Sequence, residues 1–290
     1  MKPVRDIPGA DSVAAMRGRY PEVFTSSWRR NRVAIAVVVG LTAVLLYGMV
    51  TLGFVNPRLF EGLGKLGALF GMMLPPDPGS IDRAIIYLKA LGETLAIAFL
   101  GTSLAAVLAF PIGFLAARNV VANRVVHFLS RRSLDTLRGV DVLIWALIWI
   151  NVVGLGPFAG VLALMVSDLG TFGKLFSEAI EASDKRPVEG VVAAGGGPLH
   201  RVRFGILPEV LPVMASQVLY YIESNTRSAT IIGIVGAGGI GLHLAEQIRV
   251  LEFQHVAFII ILVLIAVAAI DWLSTKLRLA LIGTRRVEMA

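Results

Sequence analysis

Cysteine is absent from the 290 residues, which excludes a disulfide framework and any thiolate metal site. Histidine is scarce: His127, His200, His243 and His255 are scattered singly and read as surface or interfacial residues. HExxH, GxSxG and carboxylate–histidine clusters are all missing, so nothing here assembles a hydrolytic or metal centre. The phosphate loop GxxxxGK[ST] is missing too, so the chain does not hold ATP in the usual P-loop manner. Charge is sparse, at 16% of residues against 56% apolar, a balance that excludes a soluble domain of ordinary composition and places the chain in a membrane. The net charge of +7 does not point to nucleic acid, because the basic residues lie in short clusters beside apolar runs, where they set topology. No repeat of fixed period occurs, which disfavours a solenoid, and the inverted repeats of secondary transporters are not evident.

What is present is a succession of apolar runs. Residues 1–32 are mixed polar and end in Trp28, Arg29, Arg30, Asn31 and Arg32, immediately before the uncharged run 33–55, long enough to span. This reads as a retained first helix with its amino end in the cytoplasm rather than a cleaved signal peptide. Residues 56–83, with Pro57, Pro75, Pro76 and Pro78, form an external loop that has room for a short interfacial helix. A long apolar helix follows from about Ala84 to Ala117, interrupted by Glu93 and by Pro111, where a bend is expected. Arg118, Arg124, Arg131 and Arg132 return the chain to the cytoplasm. Further spans are expected at about 134–153 and 157–182, joined by a turn without basic residues, then from near Ile206 past Glu223 to Val235, and at 253–281. Arg138 and Asp141 read as an interfacial pair, and Asp271 as a partner of Lys276 or Arg278. The fold class is therefore an all-α polytopic membrane protein with about six transmembrane helices and both termini, including the tail 283–290, in the cytoplasm.

Between the fourth and fifth of these spans lies VEGVVAAGGGPLHRVRFGILPEVLP, Val188 to Pro212. Pro187 suits a helix's first turn, and Glu189 lies near the positive end of its dipole. Val188, Val191, Val192 and Gly195 form one narrow stripe, too short to cross a bilayer and too apolar for a solvated loop, so it is expected to dock on something. Gly195, Gly196, Gly197 and Pro198 stop the helix, and Leu199, Val202, Phe204 and Leu207 predict a second short helix.

Two groups in the fifth span carry polarity. Glu223, Asn225 and Arg227 lie at or near hydrocarbon depth, where charge is expensive and faces a cavity or a partner. Glu223 and Arg227 are spaced for one helix face, so they read either as a neutralised structural pair or, through Arg227 or Asn225, as the lining of an anion path. Gly236, Gly238 and Gly241 spell GxGxxG after Ile231–Val235, but residues 256–270 are uncharged and the nearest acids are Glu246, Glu252 and Asp271, which argues against a dinucleotide unit. Gly236, Gly238, Gly239 and Gly241 more plausibly let two backbones approach, at a dimer axis or around a narrow gate.

The 188–212 stretch resembles the EAA loop of ABC importer permeases, whose pattern is Glu-Ala-Ala, three residues, Gly, nine residues, an aliphatic, one residue and Leu-Pro. Glu189, Gly195, Leu207 and Pro208 match it, whereas Gly190 and Val191 replace the two alanines and Gly205 stands where the aliphatic is expected, one place before Ile206. The stretches 93–119, ETLAIAFLGTSLAAVLAFPIGFLAARN, and 221–241, with its VGAGGIG, are similar to phosphonate-type permeases, as is IDWLSTKLR at 270–278. Methionine permeases share the glycine run.

The resemblance implies a five-helix type I permease core over 84–282, preceded by one extra helix at 33–55 and the external loop 56–83. It implies ATPase coupling through the loop 183–208, with Glu189, Gly195, Gly196, Leu207 and Pro208 as the coupling residues. It also implies a second copy of the chain, two ATPase subunits that hold the ATP and Mg, an extracytoplasmic solute-binding protein, and a place in the bacterial cytoplasmic membrane. The implied cargo is phosphonate or a related oxyanion such as phosphite or phosphate, and the chain itself needs no cofactor and catalyses no covalent step. An ion-coupled secondary carrier without an ATPase stays open as an alternative on the residues alone, whereas an intramembrane enzyme lacks a catalytic cluster.

Overall fold

The computed structural model describes residues 18, 28–54, 58–121 and 123–283, so most of the expected cytoplasmic segment 1–32 and nearly all of the tail 283–290 lie outside the described residues. The chain divides into two units, residues 1–68 and 69–290. The first holds α1 (Trp28–Thr51) and most of α2 (Arg58–Met72). Residues 32–51 of α1 are long and apolar enough to cross a membrane, and α2 supplies the short helix for which the 56–83 loop has room.

The main regular elements of the second unit are all helices among the described residues: α3 (Ile81–Ala116), α4 (Arg124–Arg138), α5 (Val142–Val153), α6 (Pro157–Glu181), α7 (Lys185–Ala193), α8 (Leu207–Ile234), α9 (Ile240–Arg249) and α10 (Phe253–Gly283). With residues 32–51, helices α3, α6, α8 and α10 give five candidate spans, or six if the bent pair α4–α5 counts as one. Ser80 caps α3 by accepting from the Arg83 N–H, and the helix runs unbroken through Pro111 to Ala116.

The third expected span, 134–153, is not one straight helix. α4 and α5 meet at 86° across Gly139–Asp141. The cause lies in the residues: α4, RVVHFLSRRSLDTLR, carries six titratable or charged side chains, whereas α5, VLIWALIWINVV, carries none. A helix as polar as α4 cannot share the hydrocarbon with α5. Asp141 caps α5 by accepting from the Leu143 N–H at 2.8 Å, rather than pairing with Arg138 as expected.

Apolar burial gives little drive for helices to associate in lipid, so packing rests on backbones that come close. α3 carries the small buried series Ala90, Thr94, Ala98, Gly101, Thr102, Ala105, Ala109, Gly113 and Ala116, of which Gly101, Thr102, Ala105, Ala109 and Gly113 lie against α6 and α8. A Cβ on Gly101 would stand 2.7 Å from the Leu164 Cβ, and one on Gly113 2.8 Å from the Phe176 Cβ. α6 answers with Gly160 and Ala163, both buried. Around these contacts three buried clusters form, one on Phe172, Phe176, Ile180 and Val210, one on Ile97, Leu164 and Ile232, and one on Tyr87, Ile240 and Ile259. Outside them, Val107, Phe99, Leu264, Ile265 and many other large apolar side chains stay exposed, as a lipid-facing surface requires.

α4 is held on α6 in the same way. The Leu134 side chain fills the space at Gly173, and a Cβ on Gly170 would lie 2.7 Å from the Arg138 N and 2.8 Å from the Leu134 O. Ion pairs Arg131–Glu181 at 3.0 Å and Lys174–Asp135 at 3.4 Å flank the contact. Because the obstruction at Gly170 is backbone, Gly170→Ala is expected to push α4 off α6 and destabilise the fold by about 1–3 kcal/mol. Thermal unfolding of the chain in detergent micelles checks this, and an unshifted midpoint would refute it.

Candidate functional site

The elbow between α6 and α8 starts at Asp184, whose carboxylate caps α7 by accepting from the Arg186 N–H at 3.1 Å. Glu209, in the first turn of α8, accepts from the Asp184 N–H at 3.1 Å through Oε1 and 3.2 Å through Oε2, closing the loop on itself. α7 ends in a six-to-one and five-to-two pair of bonds, Gly196 N–H to Val191 O at 2.8 Å and Gly195 N–H to Val192 O at 2.9 Å, with Gly195 at φ +82°. This is the glycine-terminated helix end that L side chains disfavour.

The second short helix expected after the glycine corner is not separate. Pro198–His200 makes one turn, Arg201–Ile206 widens into a π-turn, and the path runs on into α8 as one 37-residue length. The widening has a local cause in Pro208, which has no N–H to give and whose ring crowds the carbonyl four residues back, so the Leu207 N–H bonds instead to the Val202 O. Gly205 is buried against α7: a Cβ there would lie 2.9 Å from the Val188 Cγ2 and 3.0 Å from the Val188 Cα. An aliphatic side chain cannot stand at this contact, and Ile206 enters the core instead.

The apolar stripe of α7 divides accordingly. Val188 packs inward on the cluster of Ile180, Ile206 and Val210, and the Val191 Cγ1 lies against Gly196. Val192, Leu199 and Phe204 remain exposed, at 43%, 82% and 56%, beside the exposed Glu189 and Gly195. Leu207 is half-buried and Pro208 exposed on the first turn of α8.

Higher on α8 the polar residues separate into two groups. Asn225 turns into the bundle, where its amide Nδ2 donates to the Thr102 Oγ1 of α3 at 2.7 Å and to the Asp168 carboxylate of α6. All three side chains are buried. Sequence reasoning missed Asp168 and Thr102, although a lone acid within the apolar run of α6 was the available signal. Glu223, also buried, is held between two guanidiniums, Arg278 at 3.3 Å and Arg227 at 3.6 Å. The expected pair is thus a triad of net charge +1. Arg278 reaches it from α10, so the expected pairing with Asp271 gives way; Lys276 instead lies 3.9 Å over the Trp272 ring. The Arg227 side chain is half exposed.

The glycine run folds α8 back on α9. Gly236, Gly238 and Gly239 have φ of +106°, +83° and +74°. Gly238 abuts Pro157, and Gly239 abuts Thr94, whose hydroxyl accepts the Ile240 N–H at 2.8 Å. A Cβ on Gly241 would lie 2.0 Å from the Thr230 O. The close backbone approach these glycines permit occurs within this chain, and Ile231–Ile234 belongs to α8 rather than to a strand.

Comparison with known proteins follows the same outline. The family model described as "Binding-protein-dependent transport system inner membrane component" matches residues 109–280. A putative phosphite transport system permease protein of Stutzerimonas stutzeri is 38% identical over 258 residues, covering 89% of each chain. A phosphite transport system permease protein of the same organism is 35% identical, covering 95% of this chain and 96% of its own. A phosphate-import permease protein of Mycolicibacterium smegmatis is 34% identical over 80% of this chain and 43% of its own. Among solved structures, the inward-facing methionine ABC transporter superposes with a TM-score of 0.61 at 20% identity, over 70% of this chain and 99% of that one, and shares the fold.

The buried polar cluster yields a direct test. Asn225→Leu strips the Asp168 carboxyl of its amide donor and is expected to destabilise by about 2 kcal/mol or more, whereas Asp168→Leu with Asn225→Leu removes both partners and recovers much of that loss. Unfolding midpoints of the two variants decide it; a double variant no more stable than the single would sink the idea.

Proposed function

We propose that this chain, which belongs to the binding-protein-dependent transport system inner membrane components, forms the path by which phosphite, phosphonate or phosphate crosses the membrane as the permease subunit of an ATP-driven importer. Its work is transport rather than catalysis, and the family favours this over an ion-coupled carrier. Two copies of the chain would surround the path, with two ATPase subunits holding ATP and Mg against the cytoplasmic elbows and a solute-binding protein delivering the anion outside. Both termini would then lie in the cytoplasm.

The observation that carries this reading is the mechanical continuity of elbow and charge. α7 is clamped to the base of α8 at two points, the Val188–Gly205 contact and the Glu209–Asp184 hydrogen bonds. A displacement of α7 therefore passes into α8, the helix that carries Glu223, Asn225 and Arg227. Exposed Glu189, Val192, Leu199 and Phe204 supply the surface for an ATPase groove. Arg227, half exposed and in a triad of net positive charge, supplies an electrostatic attraction for an oxyanion that is too weak to trap it. Gly236, Gly238, Gly239 and Gly241 give the gate beside it its tight packing.

Glu189→Lys or Gly195→Trp is expected to abolish uptake while the chain still reaches the membrane. Substrate-stimulated ATPase activity of the reconstituted complex measures this, and undiminished stimulation in either variant would count against the coupling role. Arg227→Ala is expected to lower anion uptake about tenfold, the loss of one charge-assisted contact, without changing ATPase assembly. Unchanged uptake kinetics would make Arg227 a structural residue.

A further inference from the structure

At the end of the bundle that bears the elbow, a cavity of about 470 Å³ is lined by Arg118, Val121, Arg124, His127 and Phe128. Its position is set by Glu181, the last residue of α6, which accepts the Arg118 backbone N–H at 2.8 Å and pairs with the Arg131 guanidinium at 3.0 Å. Arg131 thus matches Glu181. The guanidinium charges of Arg118 and Arg124 make no ion pair among the described residues.

The Arg118 Nε donates to the His127 Nε2 at 3.3 Å, which makes that ring nitrogen the acceptor and leaves the proton on Nδ1. Nδ1 is buried and has no hydrogen-bond partner. Two guanidiniums without a carboxylate partner on the wall of one cavity call for a ligand with several oxygens and negative charge. Asn123 already caps α4 through the Val125 and Val126 N–H groups, so the recognition falls to the side chains.

The helix itself supplies the setting. α4 turns 86° away from α5 and exposes Val125, Phe128 and Leu129 along one side with Arg124 at its start, the pattern of a helix lying in a membrane surface. We infer that the cavity of Arg118, Arg124 and His127 binds a tetrahedral phosphorus oxyanion at this surface. The ligand is either the phosphodiester of an anionic lipid, with its chains along Val121 and Phe128, or a free phosphate from the aqueous side. The site is separate from the Glu223 triad and does not depend on which solute is carried.

The test uses the full chain purified in micelles and freed of lipid. Phosphatidylglycerol retention is read by native mass spectrometry against phosphatidylcholine, and radiolabelled inorganic phosphate by equilibrium dialysis. One saturable ligand is expected, weakened about tenfold or more in Arg118→Gln/Arg124→Gln and in His127→Phe, with Arg132→Gln, which removes the same charge from the same helix outside the cavity, binding as the parent does. Phosphatidylglycerol that excess phosphate fails to displace identifies the headgroup as the source; saturable phosphate binding without lipid identifies the solute. Binding no better than phosphatidylcholine with no phosphate uptake, or equal losses in the Arg132→Gln control, would overturn the proposal.

Discussion

The structure depends on how closely α3, α6 and α8 approach one another. In lipid the exclusion of water does not draw apolar helices together, so contact distance decides whether they associate. Gly101 against the Leu164 side chain, Gly113 against the Phe176 side chain and Gly160 against the Ala237 carbonyl leave no room for a Cβ. Only at that separation can the Asn225 amide reach both Thr102 and Asp168, and only then does the Thr94 hydroxyl meet the Ile240 N–H. Small residues and polar clasps are therefore one device: the first permits the second, and the second fixes the register of the first.

The same economy of distance explains the elbow. α7 is nine residues long and would be a marginal helix alone. It is ordered because Asp184 caps it, Gly195 ends it, Val188 seats on Gly205 and Glu209 ties its entry to α8. Val188 lies on the side facing the bundle, leaving Glu189, Val192, Leu199 and Phe204 outward. An element held this way moves with α8 rather than independently of it. In the proposed coupling role, these ties are what would carry a push on the short helix into the charged middle of the span.

Charge is distributed with equal economy. Within the bundle, Glu223 is matched by Arg227 and Arg278, and the triad keeps one positive charge in excess near a half-exposed guanidinium. At the elbow end, Arg131 matches Glu181 and leaves Arg118 and Arg124 in excess. Each place leaves positive charge in excess, within a span in the first case and at the elbow end of the bundle in the second.

The sequence by itself determined the membrane class, the places of most spans and the glycine-stopped elbow, because apolar run length, basic flanks and a Pro–Gly frame are local properties. It placed a third span at about 134–153 without revealing the 86° bend, since hydropathy averages over the break that the charges of α4 and the cap at Asp141 impose. It also split the elbow's second helix from α8, because a wide turn in front of Pro208 leaves no mark in periodicity. Residues distant in the chain were beyond its reach: that Arg278 completes the Glu223 pair, that Asp168 and Thr102 surround Asn225, and that Gly205 is dictated by Val188. Tertiary structure alone decided those, for the physical reason that hydrogen bonds, ion pairs and close packing act over a few ångströms of space whatever their separation in sequence.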